Sequence, residues 1–149
     1  MDAGVIKKYK WLLVAALVIL AGIFFFGRMY HNDVKVLKEF SASYEKFDKA
    51  MADFSVSNHD ASEREASDAL VQLQAKSTFR LSSLIKNDGE LMRQAPVVSD
   101  LAARELNSLR LYKMSIKNKS ADLQALAKEY GDLTSQRKAA YARFQALLE

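Results

Sequence analysis

Cysteine is absent from the 149 residues. That removes disulfide scaffolds, thiolate metal sites, cysteine nucleophiles and covalent c-type haem together. Proline occurs once and glycine five times, the glycines scattered, so neither a turn-rich β fold nor a glycine-rich phosphate loop fits. Histidine is limited to His31 and His59. A metal site needs three or four converging ligands, and no Glu-x-x-His occurs anywhere. A solvated turn residue is the simpler reading of His59, and an interfacial polar residue that of His31. Carboxylates are dispersed beside bases at helical spacing, as in Lys35/Glu39, Glu45/Lys49, Asp60/Arg64 and Asp100/Arg104. Such pairs add only about 0.2–0.5 kcal/mol each to a solvated helix face. No acid/base dyad and no G-x-S-x-G stands out. The expectation is a protein that is not an enzyme, with no catalytic residue, metal, cofactor or small-molecule substrate. A formal charge of +4 is too modest to indicate nucleic acid as a partner.

What the chain has in quantity is helix-forming residues. Ala, Leu, Glu, Lys and Arg make up almost half of it, the composition of long helices and coiled coils. Residues 11–27 carry no charge and follow Lys7, Lys8 and Lys10 in a short basic tail, 1–10. Seventeen residues of helix cover about 25 Å against a hydrocarbon core of roughly 30 Å. Flanking side chains supply the rest: Tyr9 and Trp11 suit one interface and Tyr30 the other, while Lys10 and Arg28 reach headgroups. A cleaved secretory signal is the rival reading. Its best small-x-small site, at Leu20-Ala21-Gly22, is bulky at one end and followed by Ile23 to Phe26. The run is therefore expected to stay as a transmembrane signal anchor, with Trp11, Ala15, Gly22, Phe26 and Arg28 as its marker residues. Ala15 and Gly22 lie seven apart and share a face that would admit a second helix. The tight lysine cluster places the amino terminus in the cytoplasm. Residues 28–149 would then lie on the extracytoplasmic, periplasmic side of an inner or plasma membrane.

Beyond the run, Leu37, Phe40, Tyr44, Phe47, Met51 and Phe54 recur at spacings of three and four, a heptad seam on a helix spanning about 28–57. Four aromatics in six seam positions call for packing against several helices. Ser57 to Asp60 breaks the pattern. The overlapping capping boxes Asp60…Glu63 and Ser62…Glu65 predict a second helix over 60–88, ended by Gly89 in a left-handed turn. Pro96 marks the next turn.

The last stretch holds one seam phase over about 50 residues. One series runs Ala102, Leu109, Ile116, Leu123, Tyr130, Arg137 and Phe144; its companion runs Tyr112, Lys119, Leu126, Leu133, Ala140 and Leu147. Preserved phase favours a single helix over 97–148. A break at Asn118–Ser120 is the alternative, and it would give four helices. A continuous last helix of roughly 75 Å would overhang its partners by about 30 Å. It would expose Leu123, Leu126, Tyr130, Leu133, Phe144 and Leu147 as a seam for another protein chain. Arg110, Lys113 and Lys117 form a basic stripe, read either as an ordinary solvated face or as one that would meet anionic headgroups or an acidic partner. Lys119 and Arg137 sit on the seam itself, where a charge either sets register or signals local exposure.

The fold expected is all-α: a single transmembrane helix continuing into an antiparallel three-helix coiled-coil-like bundle, or a four-helix one. The function expected is that of an accessory or scaffold subunit. Its partners would be the lipid bilayer and other protein chains, whether subunits of a membrane complex or copies of itself. A membrane-anchored sensor or ligand-binding bundle is the alternative, as is an envelope-bridging rod.

Overall fold

A computed structural model describes residues 3–57, 59–118 and 122–149, with side chains from residue 9 onward. The described residues form four helices and no strand: α1 (Ala3–Val56), α2 (Asp60–Ser77), α3 (Asp88–Lys117) and α4 (Leu123–Ala146). The seam on Lys119 and part of the Asn118–Ser120 break lie outside the described residues.

At 54 residues α1 runs without interruption from the apolar stretch into the heptad stretch. All six seam residues from Leu37 to Phe54 are buried. From α1's seam to the start of α3 the chain runs out along α1 and returns along α2. Lys76 pairs with Glu39 and Lys46 with Gln72, so α2 runs antiparallel to α1. Ser99 meets Ser77 and Arg110 meets Glu63, so α3 climbs back beside α2. Thr134 meets Glu105 and Gln94 meets the Ala140 carbonyl, so α4 descends along α3.

The last two helices differ from the expected single one. The chain folds back between Lys117 and Leu123, and the residues that keep the heptad phase belong to two antiparallel helices. Phase survives because both helices turn the same kind of stripe toward one shared core. Continuity of phase therefore says which face is buried, not whether the helix is unbroken. The break falls at Asn118, a weak helix former, whose backbone N–H closes α3 on Met114 and Ile116.

Three smaller expectations are corrected as well. The capping boxes do not form: His59 is the N-cap of α2 and no side chain caps the helix. Ser62 Oγ instead donates to the His59 carbonyl and Ser57 Oγ accepts from the His59 N–H. The second helix stops at Ser77, eleven residues before its expected end. Its continuation peels away to place Phe79 edge-on to Phe40, 6.0 Å between ring centroids, and to bury Leu81. Finally, Asn87-Asp88-Gly89 starts a helix where an end was expected. Asn87, not Gly89, takes the left-handed conformation (φ 61°), which asparagine tolerates because its side chain can bond locally. Pro96 then lies inside α3. Its ring removes one helical hydrogen bond, a cost of about 3 kcal/mol, which burial of Leu91, Ala95, Val98 and Ala102 along the same face offsets.

The core combines aliphatic residues of α2 and α3, among them Leu73, Leu91 and Leu106, with an aromatic layer between α1 and α4. Among the described residues no Cα of α1 comes within 8 Å of a Cα of α4, yet their side chains meet directly. Phe40 and Phe144 rings lie 4.7 Å apart, and Tyr44 stacks on Tyr141 at 3.5 Å between centroids. Bulky seam residues hold these two backbones apart, as a seam rich in aromatics requires.

Candidate functional site

Two halves of α1 present opposite surfaces. From Tyr9 to Phe26 every large apolar side chain is exposed, Trp11 at 70% and Phe24 at 72%. The 18-residue apolar window, near the amino terminus, has mean hydropathy 2.4 and none of it is covered by the rest of the chain. One helix is thus long and apolar enough to cross a membrane. Trp11, Ala15, Phe26 and Arg28 are exposed along it. A Cβ added at Gly22 would meet nothing within 4 Å. The face shared by Ala15 and Gly22 is open.

The seam expected to face another chain is turned inward by the fold-back of α4. Leu133 and Phe144 are buried within this chain, and Tyr130 and Leu147 pack against its core. Leu123 and Leu126 are half-buried. The reason is the reversal after Lys117, which lays the would-be overhang on α1 and α3.

The basic stripe also has a different setting from the one expected. Arg110 Nε donates to Glu63 at 2.7 Å and its Nη2 to Ser67 Oγ at 2.5 Å. Lys113 donates to the Ser57 carbonyl and lies 4.7 Å from the centre of the Phe54 ring. Of the three, Lys117 alone is exposed. Ser57 is 30 residues past Gly27, about 45 Å along α1, several Debye lengths from where a bilayer around the apolar run would end. Two of the three charges therefore tie α3 to the distal α1–α2 turn. His59 lies at that turn and His31 near the opposite end of the bundle.

The most unusual chemistry lies in the core. Arg137 and Glu105 are each 1% exposed and form an ion pair through Arg137 Nε. The guanidinium also donates from Nη1 to the Tyr44 hydroxyl at 2.6 Å and from Nη2 to Asp48 at 2.7 Å. It sits over the Tyr44 and Phe47 rings, 5.1 and 5.4 Å from their centres. Thr134 Oγ1 donates to the second oxygen of Glu105 at 2.8 Å. Helices α1, α3 and α4 each contribute, so the cluster is satisfied only when all three are in register.

The electrostatics follow from burial. Desolvation opposes the charge on Arg137, but the bonds from Glu105, Tyr44 and Asp48 overcome it and hold the group above its ordinary value. Burial pushes the Tyr44 hydroxyl up to about 12, with Arg137 partly opposing. Burial, followed by the Glu105 charge, raises Tyr130 as well. Each nitrogen of the guanidinium has a partner within the chain, an arrangement that ties three helices in one register. Its loss would be costly, since a buried charge stripped of its partner destabilises by about 3–5 kcal/mol.

Sequence reasoning found Arg137 on the seam but missed Glu105. The signal was present: Glu105 lies seven residues before Tyr112, so it continues the companion series one heptad toward the amino terminus. An acid and a base on facing seams are the pattern of a buried pair. Comparison with protein-family models, with curated proteins and with solved structures finds no match for this chain.

Proposed function

We propose that this protein is a non-enzymatic, single-pass membrane protein. Its bundle serves as an accessory or scaffold subunit of a larger membrane or envelope complex through helix–helix packing. The observation that carries the reading is the unbroken α1, bare and apolar over 11–27 yet packed into the core from Leu37 onward. Sixteen bare apolar residues in succession are stable only in a bilayer or against other apolar helices. A helix without interruption also transmits position rigidly from the anchor to the bundle. The amino terminus is cytoplasmic and the bundle extracytoplasmic, on the strength of the lysine cluster ahead of the run. The antiparallel packing of the bundle is of coiled-coil type, with the stripes at spacings of three and four supporting it.

Partner chains have two surfaces to use. One is the open Ala15–Gly22 face of the anchor. The other is the distal end, where Val56, Leu111, Met114 and Ile116 are exposed. A ligand-binding bundle would line a cavity with Phe40, Tyr44, Phe47 and Tyr112, and it draws less support because the first three pack on Phe144, Tyr141 and Arg137 and Tyr112 packs against the core. Extraction in mild detergent followed by mass spectrometry of co-purifying chains tests the proposal. Stoichiometric partner chains are expected. Migration as a lone monomer, or a freely dissolved chain beginning beyond Phe26, overturns it.

A further inference from the structure

The connection between α2 and α3, residues 78–87, is not helical, yet its sequence contains nothing that stops a helix. From Asp60 to Asp88 there is neither glycine nor proline. Leu81 lies four residues past the buried Ser77, and Leu84 lies eleven past the buried Leu73. Both therefore fall on the inner face of a longer α2. Such an extension already has its nucleus in α2, and adding residues to a formed helix avoids the costly first turn.

Tertiary ties hold the connection on its present course. Phe79 packs edge-on against Phe40. Ser82 donates from its N–H (3.1 Å) and its hydroxyl to the Asp33 carboxylate. Asp33 is the first buried residue among the described side chains of α1. Asn87, in the left-handed conformation, donates from Nδ2 to the Leu147 carbonyl at 3.1 Å. Together these contacts draw the segment across the base of the core, from α2 toward α1 and the end of α4.

The geometry leaves room for the helical course. Ser77 meets Ser99, and Asp88 is eleven residues from each of them along the chain, about 16 Å as helix. A continuation of α2 therefore comes down beside the first turns of α3 without moving them. About two more turns, 78–84, leave Ile85 to Asn87 as a loop, within the roughly two to five residues that join antiparallel helices. Burial is exchanged on the way. Leu84, now 42% exposed, turns inward, while Phe79, seven residues past the exposed Gln72, turns out. One large apolar side chain is traded for another, so the two hydrogen bonds to Asp33 decide between the courses.

We infer that residues 78–87 are a two-state strap. The Asp33–Ser82 tie closes it over the base of the core, and breaking that tie lets it refold as the last two turns of α2. Because α1 enters the bundle at Asp33, a tilt of the apolar run against the bundle loads this tie first. Opening uncovers the Phe40 ring on the side that Phe79 now covers.

The test follows backbone Cα chemical shifts of the full chain in detergent micelles. Asp33→Leu with Ser82→Val removes both sides of the tie and leaves neither partner unsatisfied, and valine is no better a helix former than serine. Each lost bond to a charged group moves the ratio of the two forms about tenfold or more. Helical shifts should then appear over 78–84, with those of α1, α3 and α4 unchanged. Adding Ser83→Pro, whose ring forbids the helix, should remove them. Phe79→Gln alone releases the other contact, keeps Asp33 bonded, and should give a smaller move in the same direction. Unchanged or random-coil shifts over 78–84 in the double variant overturn the inference. If that variant does not fold, Phe79→Gln decides: helical shifts over 78–84 uphold the strap, and their absence overturns it.

Discussion

Residues 11–27 and 33–54 belong to one helix yet solve the burial problem in opposite ways. The first stretch is apolar around its whole circumference and touches nothing; the second is apolar along one stripe and loses that stripe to three other helices. A helix that is hydrophobic all round needs an apolar surround, whereas a striped helix needs only neighbours. The contrast teaches that the two halves should fail independently, although no residue interrupts the backbone between them.

The largest effect should come from charging the first half. Leu17→Arg together with Ile19→Arg costs about 5–7 kcal/mol in the hydrocarbon, at about 2.5–3.5 per charge at the centre of a span. Membrane association measured by carbonate extraction should be abolished, and the thermal midpoint of the bundle should not move. The reverse experiment opens a hole in the second half. Phe144→Ala removes a ring packed on Phe40 and Tyr141 and should destabilise the bundle by about 3–5 kcal/mol. Denaturant titration checks this, and the chain should remain in the membrane fraction.

The buried ion pair sharpens the comparison, because it joins α1's second half to α3 and α4. Arg137→Met alone leaves Glu105 buried without its counter-charge, held only by Thr134, and should cost about 3–5 kcal/mol. Adding Glu105→Leu should recover most of that loss, since an apolar pair of similar volume is nearly neutral at such a site. A double-mutant cycle reads the coupling directly.

Alkaline pH should act on the second half alone. Tyr44 ionises near 12 in the bundle against about 10 in the unfolded chain. A raised folded value means that its contribution is whole below pH 10 and is lost as the pH climbs toward 12. The loss amounts to about 2–3 kcal/mol, and it should be missing from the difference curve of Tyr44→Phe. The smallest effect belongs to Glu39, held below the usual carboxylate range by its hydrogen bond and charge pairing with Lys76. Its contribution is present above the unfolded value and lost as the pH falls through the folded one. Both groups are partly exposed, so the Glu39→Gln difference should vanish at about 1 M salt, where the Debye length is roughly 3 Å.

Much of this architecture could be read along the chain, because helix faces are written in periodicity. The apolar run, the outward continuation to Val56 and the six buried seam residues all follow from spacing and hydropathy. Half of the core cluster was legible too, since Arg137 sits openly on a seam. Glu105 was not recognised, because its meaning depends on which helix faces it. The partner seam was misassigned for the same reason: Leu133 and Phe144 had to be buried somewhere, and periodicity is silent on whether a neighbour or the chain itself does it.

Local order, then, belongs to the sequence: the all-helical class, which stripe of a helix is apolar, and where a bilayer-length run begins and ends. Those properties depend on residues a few positions apart. The reversal between Lys117 and Leu123, the passage of α3 through Pro96 and the early end of α2 were decided by tertiary packing. In each case the burial of a distant surface outweighed a local preference of at most a few kcal/mol. The guanidinium of Arg137 found its partners only after three helices, up to 93 residues apart in the chain, had come together.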